Sequence, residues 1–284
     1  MPKHISDETK EKLTEEYNRC PTTLEQMATK YGISRPSVRK ILSQYSVQVW
    51  AKEKLFSPNL NEKYFEKIDS HKKAYFLGLI TTDGCVFWKN SRRAFLSITL
   101  KKSDRYVLED FMHDICCRRK LVYSDRSDTF TATVTSSKVV LDLEKYNVKP
   151  CSSLNQEFCH CVPNEFLADY LRGLIDGDGS YAFYVRPGRS VHKKYVCMCS
   201  GSLSFIEGFL DTLCSFLGVS RPRIQTTTQH NLYDVRWYRN DDIETIISFL
   251  YSTSGPYLSR KKEIVDRIMA EIRQYRDNSR KAVS

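Results

Sequence analysis

The chain has 284 residues, of which 41% are hydrophobic, so it is long enough for two small domains or one large duplicated domain with a real core. Its formal net charge of +10 indicates a polyanionic partner, although charge alone also serves solubility and non-specific binding. The sequence has no signal-peptide core and no membrane-length apolar run, which argues against a secreted or membrane-spanning protein. Its ten cysteines include no CxxC pair, which argues against a zinc site and for reduced cysteines in the cytoplasm.

The first 45 residues are predicted to form a separate helical unit. Ser6 is placed to cap a first helix, and two further helices flank Gly32, which suits a tight turn. Ser34 then caps the last of these helices. This arrangement resembles a helix-turn-helix DNA-binding unit, although the same turn also occurs in small bundles that bind nothing. The side chains expected to face DNA are Arg35, Ser37, Arg39 and Lys40.

A nine-residue stretch occurs twice in the rest of the chain. Its copies are Phe76-Leu-Gly-Leu-Ile-Thr-Thr-Asp83-Gly84 and Leu171-Arg-Gly-Leu-Ile-Asp-Gly-Asp178-Gly179, and their aspartates are 178 − 83 = 95 residues apart. Duplication at this distance indicates two similar half-domains. The apolar residues followed by Asp-Gly predict that each copy is the end of a helix, in which the final glycine suits a left-handed stop.

Small residues are predicted to form the contact between these two helices, because their spacing of four leaves room for a second backbone. They are Gly78, Thr82, Gly173 and Gly177. Such packing would bring Asp83 and Asp178 together at the C-terminal ends, where the helix dipoles and the mutual repulsion of the carboxylates are unfavourable. The pair therefore predicts a divalent metal site. The alternative is that each aspartate only caps its own loop.

The two halves are predicted to follow the order α-β-β-α-β-β-α, twice. Alternating runs predict a hairpin after each copy of the repeated stretch, then a helix, a second strand pair and another helix. The predicted divisions are residues 1–45 (helical unit), 46–70 (linker, with a short helix at 64–68), 71–160 (first half), 161–276 (second half, ending in a helix at 258–276) and 277–284 (frayed polar tail).

The paired stretch resembles the motif of the LAGLIDADG homing endonucleases, which are named for these nine residues. The segment leading into the first copy, Phe65-Glu-Lys-Ile68 followed by Lys72-Lys-Ala-Tyr-Phe-Leu-Gly, is also similar to that family, so the resemblance covers residues 65–276. It implies an α+β fold in which two αββαββα copies form a pseudo-symmetric saddle of two antiparallel sheets, with the motif helices at the interface. A chain carrying both motifs resembles the monomeric members of the family.

The resemblance also implies the chemistry of the site. Asp83 and Asp178 stand where the family has its metal-binding acids, so they are expected to hold Mg²⁺, with Mn²⁺ as an alternative. Lys261 matches the basic residue that in this family helps to polarise the water or the phosphate. In the first half, Ser152 stands where that lysine is expected, so a nearby lysine would have to compensate.

Double-stranded DNA is the expected partner of the free faces of the two sheets. Strand residues alternate between a packed and a free face, and the free side and the hairpin turns are rich in basic and aromatic residues. Such ribbons enter a major groove while Lys and Arg bind phosphates, although scattered basic residues are more often only a solvated surface. The basic residues expected to contact DNA are Arg92, Arg93, Lys101, Lys102, Arg186, Arg189, Lys193, Lys194, Arg236 and Arg239.

These features together predict an enzyme, a Mg²⁺-dependent endodeoxyribonuclease that cuts both strands of a long, asymmetric site. The alternative on the same fold is a non-cleaving DNA-binding regulator or an intron maturase, for which RNA would be a second partner. A protein-only interaction module is a more distant alternative, and the presence of both metal-type acids favours the nuclease. The resemblance implies that such a protein is located in the bacterial cytoplasm, near the nucleoid, whether a phage or the bacterium encodes it. An organelle is the alternative location.

Overall fold

The structure is a computed structural model that describes residues 5–19, 22–47, 49, 59–90, 93–150, 154–185, 192–227 and 232–281. The chain divides into two compact units: one contains the described residues up to Asn61 together with Met112–Arg119, and the other contains Glu62–Phe111 and the residues from Lys120 onward. Within the described ranges, no helix combines the length and the apolar character that crossing a membrane requires.

The described part of the N-terminal unit includes the helices α1 (Asp7–Arg19), α2 (Leu24–Tyr31) and α3 (Arg35–Gln44). As expected, the Ser6 hydroxyl accepts a hydrogen bond from the Thr9 amide at 3.3 Å, and Gly32 is left-handed with φ of 63° between α2 and α3. The apolar sides of the helices meet in one core, which includes Leu13, Tyr17, Met27, Val38 and Leu42.

The rest of the described chain, most of which belongs to the larger unit, consists of two halves with the same order of elements. The first half contains α4 (His71–Asp83), β1 (Gly84–Asn90), β2 (Arg93–Lys101), α5 (Arg105–Asp114), β3 (Val122–Ser124), β4 (Thr129–Thr135) and α6 (Ser137–Glu144). The second contains α7 (Leu167–Gly177), β5 (Ser180–Val185), β6 (His192–Ser200), α8 (Leu203–Leu217), β7 (Gln225–Thr227), β8 (Leu232–Trp237), α9 (Asn240–Leu250) and α10 (Ser259–Lys281). The predicted order α-β-β-α-β-β-α, twice, is confirmed.

Each half forms a four-stranded antiparallel sheet, with the strand orders β1-β2-β4-β3 and β5-β6-β8-β7. One face of each sheet is packed and the other is open, because successive side chains on a strand alternate. On β2, for example, Leu96 and Ile98 are buried, whereas Ser97 and Thr99 are on the open face. The fold is therefore the duplicated α+β arrangement that the repeat predicts.

Three local expectations differ from the structure. Residues 64–68 form turns instead of a helix, and the neighbouring rings of Tyr64 and Phe65 are both buried there, 4.8 Å apart. Helix α10 continues to Lys281, so 277–281 are helical and not a frayed tail. Strong helix formers such as Arg276 at this end favour the continuation.

The glycines after the motif helices are the third difference. Gly84 is extended, with φ of −84°, and Gly179 is not among the left-handed glycines either. Each is needed for space instead, since a Cβ would lie 2.3 Å from the Ile80 carbonyl oxygen at Gly84 and 2.7 Å from the Ile175 Cα at Gly179. The chain therefore passes directly from each motif helix into the first strand of its sheet.

Candidate active site and nucleic-acid interface

The two motif helices α4 and α7 are in backbone contact through their small residues. A Cβ on Gly78 would lie 2.2 Å from the Tyr170 carbonyl oxygen, and a Cβ on Gly173 would lie 2.2 Å from the Tyr75 carbonyl oxygen. The equal distances show that the contact is reciprocal, as expected for a duplicated motif. The glycines predicted at the helix interface, Gly78 and Gly173, lie at this contact.

The C-terminal ends of the two helices also meet. A Cβ on Gly177 would lie 1.9 Å from Thr82 Oγ1 and 3.3 Å from Asp83 Oδ2, so the side chain present in one copy takes the space that glycine leaves in the other. This contact brings the Asp83 carboxylate to the end of α7, just before Asp178. Asp83 directly precedes the edge strand β1, and Asp178 is separated from the edge strand β5 by one residue, Gly179.

The carboxylates of this pair are disfavoured as charged groups. Burial and then the charge of Asp178 raise the pKa of Asp83 to about 6. Loss of water around the carboxyl group also raises the pKa of Asp178, although that residue as a whole is exposed. Lys261 opposes both shifts. Two carboxylates that resist joint ionisation are suited to a site completed by a cation.

The donor set limits which cation fits. Among the residues that the structure describes, no group of three or more His, Cys, Asp or Glu side chains is arranged for a metal ion, so Asp83 and Asp178 form a pair of candidate ligands. Mg²⁺ is commonly held by one or two carboxylates together with substrate phosphates and water. The two residues therefore fit a hard divalent cation shared with a phosphate, and they do not form a complete cage.

Lys261, in the first turn of α10, lies beneath the end of α7. Its buried ammonium group donates hydrogen bonds to the carbonyl oxygens of Ile175 at 2.7 Å, Asp176 at 2.5 Å and Gly179 at 2.7 Å. Burial lowers the pKa of Lys261 to about 8. The charge thus compensates the negative end of the α7 dipole and acts on both aspartates from below.

Arg260, which sequence reasoning missed, is the second cation near the pair. Its Nε donates to Asp104 Oδ2 at 2.8 Å, and its positive charge counteracts the rise of the Asp83 pKa. Ser152, the expected counterpart of Lys261, lies outside the described residues. The basic groups that act on Asp83 therefore come from α10, and only the charge run Arg260-Lys-Lys in the sequence could have indicated this.

Asp176 has a structural role that the sequence did not reveal. Its Oδ2 accepts hydrogen bonds from the Tyr75 hydroxyl at 2.9 Å and the Leu258 amide at 2.9 Å. Burial raises the pKa of Asp176 to about 6. This carboxyl group joins α7 to α4 and to the start of α10, which positions Lys261.

A buried ion pair supports the same connection. Asp169 and Arg172, both fully buried on α7, pair with each other, and Arg172 Nε donates to the Pro256 carbonyl oxygen at 2.8 Å. His71 Nδ1 lies 2.7 Å from Asp169 Oδ2. A charged side chain within an apolar motif helix was the only available signal for this network.

The open face of the first sheet carries hydroxyl groups and two stacked rings. Thr99 and Thr131 are hydrogen bonded through their hydroxyls at 2.8 Å, and the rings of Phe87 and Phe95 stack at 4.9 Å. The predicted cations lie at its margins: Arg93 is 5.1 Å from the Phe95 ring, Lys101 is exposed at the end of β2, and Lys102 is 5.5 Å from the Tyr123 ring.

The open face of the second sheet is basic and aromatic, as expected. Lys193 Nζ lies 5.0 Å from the Tyr238 ring, and the Arg236 guanidinium lies 5.5 Å from the Tyr195 ring. Arg239 is beyond the end of β8, directly before α9.

Lys194 differs from expectation because it is one residue out of phase with Lys193. Strand alternation places it on the packed face, where its ammonium group pairs with Glu271 at 2.6 Å. Arg92, Arg186 and Arg189 lie outside the described residues.

In the N-terminal unit, the predicted DNA-facing residues are on α3. Arg35, Arg39 and Lys40 are exposed. The Ser37 hydroxyl is instead 2.8 Å from the Ser34 hydroxyl, and the Ser37 amide donates to the same oxygen, so this residue takes part in the helix cap. That α3 contacts DNA stays a prediction.

Comparison with known proteins agrees with this geometry. Residues 70–113 match the family model of the LAGLIDADG-like domain, and no curated protein sequence matches the chain. The meganuclease I-AabMI bound to uncleaved DNA is 13% identical, with a TM-score of 0.55 over 74% of this chain and 92% of that one. The homing endonuclease I-SmaMI bound to cleaved DNA is 16% identical, with a TM-score of 0.52 over 72% and 90%. Residues 70–113 are therefore similar to the LAGLIDADG-like domain, and the two halves of the chain have the duplicated LAGLIDADG fold.

Proposed function

We propose that this protein is a site-specific endonuclease that hydrolyses both strands of double-stranded DNA with a divalent metal ion, Mg²⁺ in the first place. The carboxylate pair carries the proposal, because Asp83 and Asp178 are held together at the inner edges of two open sheet faces. The solved structures of I-AabMI and I-SmaMI, which share the fold, are those of a meganuclease and a homing endonuclease bound to DNA, which supports the choice of ligand.

The metal site would be shared between the protein and the scissile phosphates. A divalent cation, when bound, supplies positive charge that polarises the phosphate and acidifies a coordinated water. Asp83 and Asp178 hold their carboxylates in place for it through the glycine contact of α4 and α7. Each carboxylate comes from one half, so each half serves one DNA strand.

Lys261 acts on this chemistry as a positioning residue. Its ammonium group holds the carbonyl oxygens of Asp176 and Gly179 on either side of Asp178. This fixes the Asp178 backbone and keeps positive charge close to both carboxylates. Arg260 adds a second positive charge near Asp83, and preorganised charge of this kind stabilises an anionic transition state.

The target is proposed to be long and asymmetric, and a single chain is proposed to suffice for it. Two sheets with different open faces lie in one chain, so the two halves of the site need not be related by symmetry. A single chain also provides both carboxylates, which makes a second copy unnecessary.

The replacement Asp178→Asn tests the catalytic assignment. We expect it to abolish double-strand cleavage while DNA affinity stays within a few-fold of wild type, because the amide keeps the shape but not the charge of the ligand. The substrate would be the gene's insertion locus rebuilt without the gene, with Mg²⁺ for cleavage and Ca²⁺ for binding. Asp211→Asn, an exposed acid paired with Arg221, is the matched control.

The outcomes separate nuclease from binder. A discrete Mg²⁺-dependent cut that persists in Asp178→Asn would refute the site assignment. Tight binding by wild type without a cut in either metal would refute the nuclease proposal and support a DNA-binding regulator or a maturase on the same fold.

A further inference from the structure

The two open sheet faces can be compared position by position, because strand pairing relates each residue to the aspartate of its half. In the first sheet, Cys85 pairs with Ser97, which pairs with Thr133. In the second, Ser180 pairs with Cys197, which pairs with Arg236. Cys85 and Ser180 each stand two residues after the motif aspartate, so Thr133 and Arg236 occupy equivalent positions.

The neighbouring positions extend the comparison. Phe95, beside Phe87 in the first sheet, is equivalent to Tyr195, beside Ala182 in the second. On the strands β4 and β8, two residues before Thr133 and Arg236, Thr131 is equivalent to Asp234. At these equivalent positions the first face has hydroxyl, methyl and phenyl groups, where the second has the guanidinium group of Arg236, the carboxylate of Asp234 and the phenol of Tyr195.

The Arg236 side chain is fixed by its neighbours in a position where it can bind a planar group. It pairs with Asp234, which is buried on the same strand, and it lies over the Tyr195 ring at 5.5 Å. About a third of its side chain is exposed (34%), on one of the two central strands of the sheet. A guanidinium group that its neighbours hold in place loses little conformational freedom when it binds a ligand.

The first face offers two stacked phenyl rings, with the Arg93 guanidinium group 5.1 Å from the Phe95 ring at its margin. Phe87 is 44% exposed, and its ring stacks on Phe95 with the planes 10° apart. Exposed phenyl rings on a sheet cost free energy in water unless a ligand covers them. The hydroxyls of Thr99 and Thr131 are engaged with each other at 2.8 Å.

The major groove offers matching chemistry. Guanine presents the O6 and N7 acceptors that a guanidinium group contacts with two hydrogen bonds, and thymine presents a methyl group that packs against Thr and Phe. We propose that the two halves of the DNA site differ in base composition: the half bound by the second sheet contains a guanine read by Arg236, and the half bound by the first sheet is A·T-rich and read through thymine methyl groups by Phe87, Phe95 and Thr133. This proposal rests on the DNA binding proposed above.

A binding selection tests it. Duplexes with a randomised central stretch would be enriched on the full-length protein in Ca²⁺, so that no cleavage is needed for the readout. The wild type should yield a consensus with a guanine in one half and A·T pairs at the mirror position in the other. Arg236→Thr should lower the preference for that guanine by about 5- to 100-fold and leave the other half unchanged.

The reciprocal exchange makes the test specific. Thr133→Arg should create a guanine preference in the formerly A·T-rich half, and Phe87→Ala should weaken the thymine preference of that half. The control Arg221→Thr makes the same chemical change in the loop before β7, where Arg221 pairs with Asp211, and should leave the consensus unchanged. Circular dichroism and thermal melting would confirm that each variant is folded.

The possible failures can be told apart. A consensus in which the guanine survives Arg236→Thr, or in which Phe87→Ala leaves the thymines unaffected, overturns the half-site proposal while DNA binding stands. No enrichment by wild type overturns DNA binding itself and this proposal with it. Enrichment of the expected consensus without cleavage in Mg²⁺ supports the half-site proposal and contradicts only the nuclease.

Discussion

Single residues at the centre of the molecule are placed at an electrostatic cost. Asp83 and Asp178 lie at the negative ends of two helix dipoles and beside each other, and the amine that opposes this, Lys261, is itself buried and bonded to carbonyl oxygens. Without a cation, this arrangement weakens the fold. Its retention in both halves is understandable if the carboxylates are needed for a ligand.

The pH dependence of stability should reveal this cost. The pKa of Asp83 is raised from 3.8 to about 6 in the folded chain, so ionisation is penalised there, and the free energy of unfolding of the metal-free protein should fall as pH rises from about 4 to about 6. Asp83→Asn removes that penalty. It should therefore be more stable than wild type at pH 7.5, by about 1–2 kcal/mol after screening, and not at pH 4.

Urea unfolding in EDTA at a series of pH values measures the difference. Adding Mg²⁺ should raise the stability of wild type more than that of Asp83→Asn, because only wild type keeps both ligands. Parallel pH profiles of the two proteins would contradict the assigned repulsion.

At the scale of elements, two periodicities decide what each side chain does. Along α4 and α7, residues four apart lie on the same side of the helix, which places the small residues at one contact. Along a strand, residues two apart lie on the same face, so the adjacent residues Lys193 and Lys194 lie on opposite faces of the sheet. The first was predicted correctly from the sequence. The second was predicted only in part, because Lys193 and Lys194 are equally basic and only the register of β6 shows which one is on the open face.

The glycine contact should be the most sensitive packing site of the larger unit. Gly78→Ala places a Cβ 2.2 Å from a backbone carbonyl oxygen, which neither helix can avoid, so we expect a loss of about 3 kcal/mol or more in the free energy of unfolding. Gly218→Ala, at a left-handed position with open space around it, should cost about 1 kcal/mol. Denaturant melts compare the two, and equal losses would mean that α4 and α7 do not pack this closely.

The two neighbouring lysines of β6 should differ in their effect on DNA binding. Lys193→Gln removes an open-face charge and should reduce the slope of log affinity against log salt by about 0.9 if it contacts one phosphate. Lys194→Gln should leave that slope unchanged and instead lower stability, since it breaks the pair with Glu271. Salt titrations of binding in Ca²⁺ provide the measurement, and the opposite pattern would contradict the assigned faces.

At the scale of the whole molecule, the chain joins a small helical unit to the larger one. The helical unit has its own core and presents the exposed cations of α3. We predict that these cations contact phosphates, and such contacts strengthen binding without contributing to hydrolysis.

Changing two of these cations should separate binding from chemistry. Arg39→Gln with Lys40→Gln should weaken DNA binding and reduce its salt slope by up to about 2, while the cleavage rate at saturating protein stays unchanged. Lys12→Gln on α1, where the lysine pairs with Glu8, is the control. Unchanged affinity in the double variant would show that α3 does not contact DNA.

The sequence by itself determined the duplication, the order of elements, the helix contact through glycines and the two carboxylates. These follow from local signals: a repeat with fixed spacing, side-chain periodicity, and charges at helix ends. The tertiary structure alone decided the roles of Arg260, Asp176 and Arg172, the opposite faces of Lys193 and Lys194, and the equivalence of Thr133 with Arg236. Each of these depends on which residues from distant parts of the chain meet, and contacts of that kind are set by packing and strand register, not by the residues next to them in the sequence.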